Sequence, residues 1–419
     1  MKNIAIIGSG ISGMTAAYLL SKVPNHNVTV FEKNDYVGGH TATVDVEVDG
    51  QMHAIDTGFI VFNDRTYPKF EKLLSEIGIS RQPTQMSFSV QNTQSEFEYN
   101  GHTFTSLFAQ RRNIFRPTFW RLLYDIVRFN KLCKQLFYGN DYSRYSTLGA
   151  LLTQHNFNEF FKTHYILPMG AAIWSTSIAK MSEFEAQFFV KFFFNHGLLD
   201  IANRPQWYVI PGGSRSYITP LIESFKNAIH LNANIKTVRR NEGGVELVME
   251  DGRVQLFDEI VFACHSDQAL ALLEAPTEDE AQILGSMAYT ENSVLLHTDK
   301  SMLPKRHAAW ASWNYLLDGN ADAAAVVTYQ MNILQGIESE QPLCVTLNYD
   351  KGIDDSKVLR RFTYHHPVFN QTSIDAQKKK ALIDGKHNSY FCGAYWFNGF
   401  HEDGVKSAVD VARQFGVEF

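Results

Sequence analysis

The arrangement that most constrains this chain lies at its start. Ile4 to Ile7 is a wholly apolar run, Gly8-Ser9-Gly10-Ile11-Ser12-Gly13 follows it directly, and Ala16, Ala17, Leu19 and Leu20 then recur at helical spacing up to Lys22. Asn27 to Phe31 is a second β-rich run, and Glu32 ends it. A short apolar run closed by turn residues suits a parallel strand buried on both faces. The segment therefore predicts strand, turn, helix and strand, one βαβ unit. Each glycine has its own task there: Gly8 makes the tight turn, Gly10 lets the backbone approach a pyrophosphate, and Gly13 lets the helix pack close to the strand. Ser9, Ile11 and Ser12 bring backbone amides to the positive end of the helix, where a phosphate is held. Glu32, 19 residues beyond Gly13, places a carboxylate where ribose hydroxyls can donate to it. The alternative, a structural glycine turn with a surface glutamate, leaves this order of elements without a reason. The unit predicts dinucleotide binding, and by itself it does not separate FAD from NAD.

The rest of the chain sets outer limits. At 419 residues it exceeds one ordinary core, and its 45% hydrophobic and 20% charged content is that of a soluble globular protein. A net charge of −6, from 38 basic and 44 acidic residues, gives a nucleic-acid partner no electrostatic support. Cys133, Cys264, Cys344 and Cys392 are far apart and form no Cys-x-x-Cys pair. That argues against a disulfide framework and a metal site, and fits a reducing compartment. The apolar run after Met1-Lys2 is broken by glycines and lacks a convincing cleavage site. No later stretch reaches the roughly 20 uncharged apolar residues of a spanning helix. A cytoplasmic protein is expected, with peripheral association at the inner face of the membrane as an open question.

Two kinds of pattern alternate along the sequence. Residues 40–62 predict short strands and a return loop. From Arg65 to about Leu199 the pattern is helical, most clearly over Pro117 to Phe137, whose polar face carries Arg121, Asp125 and Arg128. Ile229 to Val238, Gly244 to Met249 and Val254 to Ala263 predict successive strands, with an Asp251-Gly252 hairpin between the last two. Residues 290–365 predict an antiparallel sheet. Tyr390 to Cys392 predicts a strand, and a helix follows from about Glu402 to Phe415. This alternation predicts two domains that exchange segments: a cofactor domain of residues 1–62, 205–275 and 386–419, and a substrate domain of residues 63–204 and 276–385.

Several further segments carry a resemblance. Glu32-Lys33-Asn34-Asp35-Tyr36-Val37-Gly38-Gly39-His40 resembles the second glycine motif of the flavin amine oxidase, phytoene desaturase and protoporphyrinogen oxidase superfamily, which usually has Arg where this chain has His40. Ile55-Asp56-Thr57-Gly58-Phe59-Ile60 resembles the segment that returns toward the flavin in that superfamily. Pro211-Gly212-Gly213-Ser214 resembles its Gly-Gly turn, and the strand around Ile235 resembles one whose backbone contacts adenine. The strand ending in Ala263-Cys264 resembles its Asp-x-Val-Val-x-Ala strand. Gly393 and Gly399-Phe400-His401-Glu402-Asp403-Gly404 look like its C-terminal flavin motif. Leu167 to Ser175 resembles the segment leading into the substrate cavity of the desaturase and protoporphyrinogen oxidase branches. The C-terminal wording is most similar to bacterial flavoproteins encoded near cyclopropane-fatty-acid-synthase-like methyltransferases, where acyl-chain desaturation is a known role.

The resemblance implies FAD as cofactor and a Rossmann-like α/β domain joined to a substrate domain of mixed sheet and helices. It implies hydride removal from a C–H bond to flavin N5, with oxygen or a carrier as electron acceptor. The preferred substrate is a lipid acyl chain; an amine oxidase of the same fold and a non-redox double-bond isomerase are the alternatives. His401 would lie at the flavin edge and move a proton, or cap the helix without chemistry. Tyr395, between the two C-terminal glycines, would wall the substrate site or simply pack in the core. Cys392 reads as an inert buried thiol. Phe188 to Phe194, taken with Arg111, Arg112 and Arg116, would line an acyl tunnel or meet a membrane, or else form a helix interior beside a solvated loop. His365 and His366, adjacent on an extended chain, should face opposite ways and share no metal.

Overall fold

The computed structural model describes residues 1–320 and 322–419. Five parallel strands run in the spatial order Ile229–His230, His26–Phe31, Lys2–Ile7, Glu259–Phe262 and Ser389–Phe391. The apolar run at the start of the chain becomes the central strand because both of its faces must be covered. Ile4 and Ile6 pack on one side with Met14, Val405 and Ala408, and Ala5 and Ile7 pack on the other with Val238 and Leu247. The first side is covered by the first helix, Ile11–Ser21, and the terminal helix, His401–Gln414. The second side is covered by an antiparallel sheet of Ile235–Asn241, Gly244–Met249 and Val254–Phe257. Helical spacing alone predicts one apolar side for the first helix. Ala16, Ala17, Leu19 and Leu20 are inaccessible as that reading expects, and Met14 and Thr15 are buried as well, because the helix is enclosed between the sheet and the terminal helix.

Two expected strands are divided. The run 229–238 splits into Ile229–His230 in the parallel sheet and Ile235–Asn241 in the antiparallel one, and Asn232 turns the chain between them at φ 53°. The run 254–263 divides at Asp258 in the same way. Asp251-Gly252 makes the expected turn between Gly244–Met249 and Val254–Phe257. Residues 40–62 contain the hairpin Thr43–Val48 and Gln51–Asp56, joined at Asp49-Gly50 with φ 55° and 74°, the left-handed pair that a tight hairpin turn needs.

A seven-stranded sheet runs in the order Val358–Pro367, Tyr289–His297, Cys344–Leu347, Val326–Gln330, Trp313–Leu317, Phe88–Asn92 and Phe97–Asn100. It is antiparallel except where Trp313–Leu317 meets Phe88–Asn92. The helical region packs on it through a core that includes Phe119, Phe129, Phe161, Phe189 and Phe193. The longest helix spans Pro117–Gly139 and ends on Asn140 in the left-handed region. Its expected polar face is not all solvated, for Asp125 is completely buried. The Asp125 carboxylate accepts from Arg121 Nε at 3.1 Å, Arg128 at 2.9 Å and the Asn158 amide at 3.2 Å, so it ties this helix to the next segment. The phenylalanine run lies on the helix Ala186–Asn195, with Phe189, Phe192 and Phe193 buried. It forms helix interior, and the expectation that this run meets a membrane is corrected: its spacing serves a core.

Asp125→Ala would remove a buried acceptor from three donors at once. A loss of about 2–4 kcal/mol is expected, seen as a lower urea midpoint with unchanged flavin content in the folded fraction.

Candidate active site

Because the five central strands are parallel, their carboxyl ends open on one crevice, where α/β sheets place their ligands. The Gly8 amide donates to the Phe31 carbonyl at 2.8 Å and the Ala263 amide to Ile7 at 2.8 Å, which ties the three turns together. A Cβ on Gly13 would collide with the Gly8 carbonyl, so only glycine allows the first helix to start this close to the strand. Gly10 differs: nothing lies within 4 Å of where its Cβ would be. Gly38-Gly39 folds over the same turn, with the Gly38 amide 3.1 Å from the Ser9 carbonyl. Glu32 accepts from the Ser9 amide at 2.9 Å, the Ser9 hydroxyl at 2.6 Å and the Asn34 amide at 2.9 Å. Lys33 is exposed, whereas Ile235, Ala263 and Cys264 are half-buried along the crevice. Burial pushes the Cys264 thiol up to about 12, which leaves it unreactive.

The second wall is the segment after the hairpin. The Phe59 amide donates to the His40 carbonyl at 2.7 Å and the Thr57 amide to Ala42 at 2.9 Å, so residues 40–42 and 57–59 run side by side. Gly58 permits this, since a Cβ there would strike the His40 carbonyl. Ile60 is buried beneath the seven-stranded sheet. The Thr57 hydroxyl lies 2.8 Å from the Tyr364 hydroxyl. Asp56 Oδ1 accepts from the Ser214 amide and hydroxyl, both at 2.8 Å, and burial pushes its carboxyl up to about 6.

The terminal helix begins beside these elements. A Cβ on Gly404 would come within 2.7 Å of Ile11, so the starts of the first and last helices converge and both positive ends face the crevice. Asp403 accepts from the Phe400 amide at 2.9 Å. Glu402 accepts from the Lys69 amide at 3.1 Å and the Phe70 amide at 2.8 Å, capping the helix Pro68–Glu76. Burial pushes both carboxyls up to about 7. His401 is stacked on Phe59 at 3.6 Å, with Nε2 at 3.1 Å from both the Thr41 and Tyr217 hydroxyls. Burial, and then the nearby His40, holds its imidazole well below its ordinary value. Tyr395 is not brought beside His401. Its ring is buried against Gly393 and Trp396, in the cluster that contains Phe262 and Phe391.

Tyr364 and His265 reach the crevice without having been singled out from the sequence, and His366, weighed there only as a metal ligand, joins them. The His40 ring lies 5.3 Å from Tyr364, 5.7 Å from His366 and 6.2 Å from His265. His366 Nδ1 is 3.0 Å from the Ser175 hydroxyl, which ends the helix Leu167–Trp174. His365 faces outward, as alternation requires, toward Glu291 at 3.9 Å. Burial first, then the neighbouring histidines, lowers His40 to about 3 and His366 to about 4. No sequence signal marks His366, because only the tertiary packing of its strand carries it here.

The residues fit a large polar cofactor. Among the described residues, His40 Nε2, Asp56 Oδ2, the Tyr395 hydroxyl and Trp396 Nε1 are buried with no hydrogen-bond partner, and the open side of Gly10 is where a pyrophosphate would pass. A parallel sheet, this glycine turn and a second helix start at one crevice define a dinucleotide-binding flavoprotein. The profile of the flavin containing amine oxidoreductases matches residues 11–316, and the chain belongs to that family, as an FAD-dependent oxidoreductase. An L-amino-acid oxidase of Gloydius blomhoffii is 22% identical over 481 residues, 98% of this chain and 89% of that protein. A CLA-producing fatty acid isomerase from P. acnes superposes with a TM-score of 0.70 at 14% identity, covering 99% of both chains. Cyclohexylamine oxidase from Brevibacterium oxydans IH-35A superposes with a TM-score of 0.69 at 15% identity, again over 99% of both. Both share the expected architecture, a Rossmann-like sheet joined to a mixed-sheet and helical region.

Two outcomes are expected. Gly10→Val fills the open side of the turn, and the purified variant should be colourless with its fold retained by circular dichroism. The buried neutral histidines set a pH dependence. Their folded pKa values lie below the unfolded value near 6.5, so the stability they contribute is present above pH 6.5 and lost as pH falls toward 4. Asp56, Glu402 and Asp403, whose folded pKa values are raised, act in the opposite sense over the same window, so the histidine contribution is read as a difference: relative to the wild-type apoprotein, the unfolding temperature of His366→Gln should rise as pH falls from 6.5 to 4.

Proposed function

We propose that this oxidoreductase takes a hydride from a C–H bond of a lipid acyl chain, a neighbouring proton leaves, and a carbon–carbon double bond remains. One observation carries this reading: a continuous series of packed aromatic rings leads from the start of the terminal helix into the helical region. Phe400 lies 5.3 Å from Phe192, Phe192 4.7 Å from Trp174, Trp174 5.8 Å from Phe188, and Phe188 5.7 Å from Phe369. Aromatic carbon along such a path suits methylene groups, and His366 with Ser175 is a polar pair at its side. The lowered pKa keeps His366 uncharged at neutral pH, so it adds no charge beside an apolar chain.

In this proposal Gly8, Ser9, Gly10, Ile11, Ser12 and Gly13 hold the pyrophosphate with Gly38, Gly39 and His40, and Glu32 binds ribose beside Lys33. Ile235, Ala263 and Cys264 border the adenosine portion. Thr57, Gly58, Phe59 and Ile60 would border the ring system, with Gly393, His401, Glu402 and Asp403 at the helix start. Residues 1–62, 205–275 and 386–419 then form the cofactor domain, and residues 63–204 and 276–385 the substrate domain. Bound FAD would supply the hydride acceptor, with oxygen or a carrier as the final electron acceptor. His401 acts as a positioning residue: its depressed pKa makes it a weak base, and its Nε2 holds the Thr41 and Tyr217 hydroxyls. Tyr395 closes the crevice behind Gly393.

The visible spectrum of the anaerobic holoprotein tests the substrate. A bacterial phospholipid extract should bleach the flavin, and a panel of simple amines should not. Reduction by an amine alone would replace the reading with amine oxidation. A rearranged double bond formed without net electron consumption would replace it with isomerisation. His401→Ala should keep the yellow colour and slow reduction by about tenfold or less. A loss of about 10²–10⁴ at unchanged substrate affinity would instead make His401 the proton carrier.

A further inference from the structure

The exposed side of the helix Pro117–Gly139 is not polar. Trp120, Tyr124, Val127 and Tyr138 recur at three- and four-residue steps with Lys131 between them, all exposed, while Phe119, Leu122, Phe129 and Cys133 fill the opposite face. The apolar surface continues off the helix. Trp120 Nε1 donates to the Ile114 carbonyl at 2.8 Å, and its ring lies 5.7 Å from Phe108, which lies 4.9 Å from Phe104. Phe115 projects from the preceding turn with 85% of its surface exposed, and Phe104 has 77% exposed. Scattered exposed apolar residues are ordinary, but a contiguous run of aromatics marks a contact surface.

The charge around it has one sign. Between Phe104 and Gly139 the chain has seven basic residues and a single acid, Asp125, in a protein of net charge −6. Asp125 is buried and engaged by Arg121 and Arg128. Arg112 donates to the Glu96 carbonyl at 2.8 Å and Arg116 to the Asn113 side chain at 3.2 Å, so neither guanidinium is neutralised there by a carboxylate. The nearby Glu96 and Glu98 are paired with Lys305 and Arg306, and Asp200 with Lys134 and Arg65. Along the same helix an open groove of about 680 Å³ has Val127, Tyr138, Leu199 and Ile201 as apolar walls and Lys131 and Lys134 at its rim.

We propose that this face docks on an anionic lipid bilayer. Trp120, Tyr124 and Phe115 enter the headgroup layer, Arg111, Arg112, Arg116 and Lys131 meet lipid phosphates, and the groove seats one phospholipid beside Lys131. Aromatic side chains with a polar edge prefer that layer, and a basic cluster beside them adds attraction to anionic lipid. None of these residues belongs to the flavin crevice, so the docking surface stands independently of the substrate proposed above.

Sedimentation of the holoprotein with vesicles tests it. Phosphatidylcholine vesicles with about a third phosphatidylglycerol should bind the protein, salt should weaken the binding, and pure phosphatidylcholine should not bind it. Arg111→Glu with Arg112→Glu, and separately Phe115→Ser with Trp120→Ser, should each weaken binding by about tenfold or more while the flavin spectrum is kept. The spectrum shows that a variant is folded, so lost binding is read at the surface. No binding to anionic vesicles, or equal binding by the variants, overturns the proposal. A dimer that the Phe115→Ser, Trp120→Ser variant turns into a monomer also overturns it, by giving the face to a second copy of the chain.

Discussion

The close approach of the first helix to the turn beneath it and to the last helix above it governs the rest of the molecule. Gly13 has no side chain because the Gly8 carbonyl occupies that space, and Gly404 has none because Ile11 and Ser12 do. Two residues nearly the whole chain apart thus bring two helix starts to one edge of the parallel sheet. Once they meet there, the other elements have little freedom. Residues 38–42 must cross the glycine turn, residues 57–59 must pair with them, and Glu402 is left facing the first amides of Pro68–Glu76. The crevice follows from packing, and its chemistry follows from which polar groups that packing leaves facing one another.

Burial works against the negative charge of those polar groups. Asp56, Glu402 and Asp403 are acids by composition, yet burial raises all three toward neutrality, to about 6, 7 and 7. Each is also spent on backbone or hydroxyl donors, which keeps it compatible with a low-dielectric site. The histidines are shifted the opposite way, to the neutral form, for the same reason. What remains is the field of two helix starts and a set of oriented amides, a fixed positive bias suited to a polyanionic cofactor. A charged arginine at position 40 would add to that bias. His40 relies on the backbone instead and offers Nε2 as a neutral hydrogen-bonding group.

What the sequence made legible was local. The glycine turn, its flanking strands, the hairpin at Asp251-Gly252 and the long helix from Pro117 are each set by residues a few positions apart. Strand membership was harder, because Ile229 to Val238 reads as one β-rich run although its two halves enter different sheets, and the break at Asn232 depends on what each half pairs with. The polar lining of the crevice was least legible. Tyr217 follows a recognisable Gly-Gly turn and Thr41 follows His40, but Tyr364 and His366 arrive on a strand whose own pattern speaks only of alternation. Burial also inverted one local inference: Arg121, Asp125 and Arg128 look like a solvated face, yet Asp125 is a buried tie between helices.

The aromatics show why composition alone misplaces function. With 13% of the chain Phe, Tyr or Trp, both the interior and the surface must hold many of them. The run from Phe188 to Phe194 is the more conspicuous in sequence, and it packs inward because a helix so apolar on adjacent positions must be enclosed on more than one side. The helix from Pro117 is less apolar overall. Its aromatics stay outside because the opposite face already satisfies the core, and the charged residues between them are basic except for the buried Asp125. A helix that merely covered a core would gain nothing from Trp120 and Tyr124 at exposed positions, where charged residues would be soluble and harmless. Their persistence beside unneutralised arginines is therefore best explained by a layer with both apolar depth and negative charge.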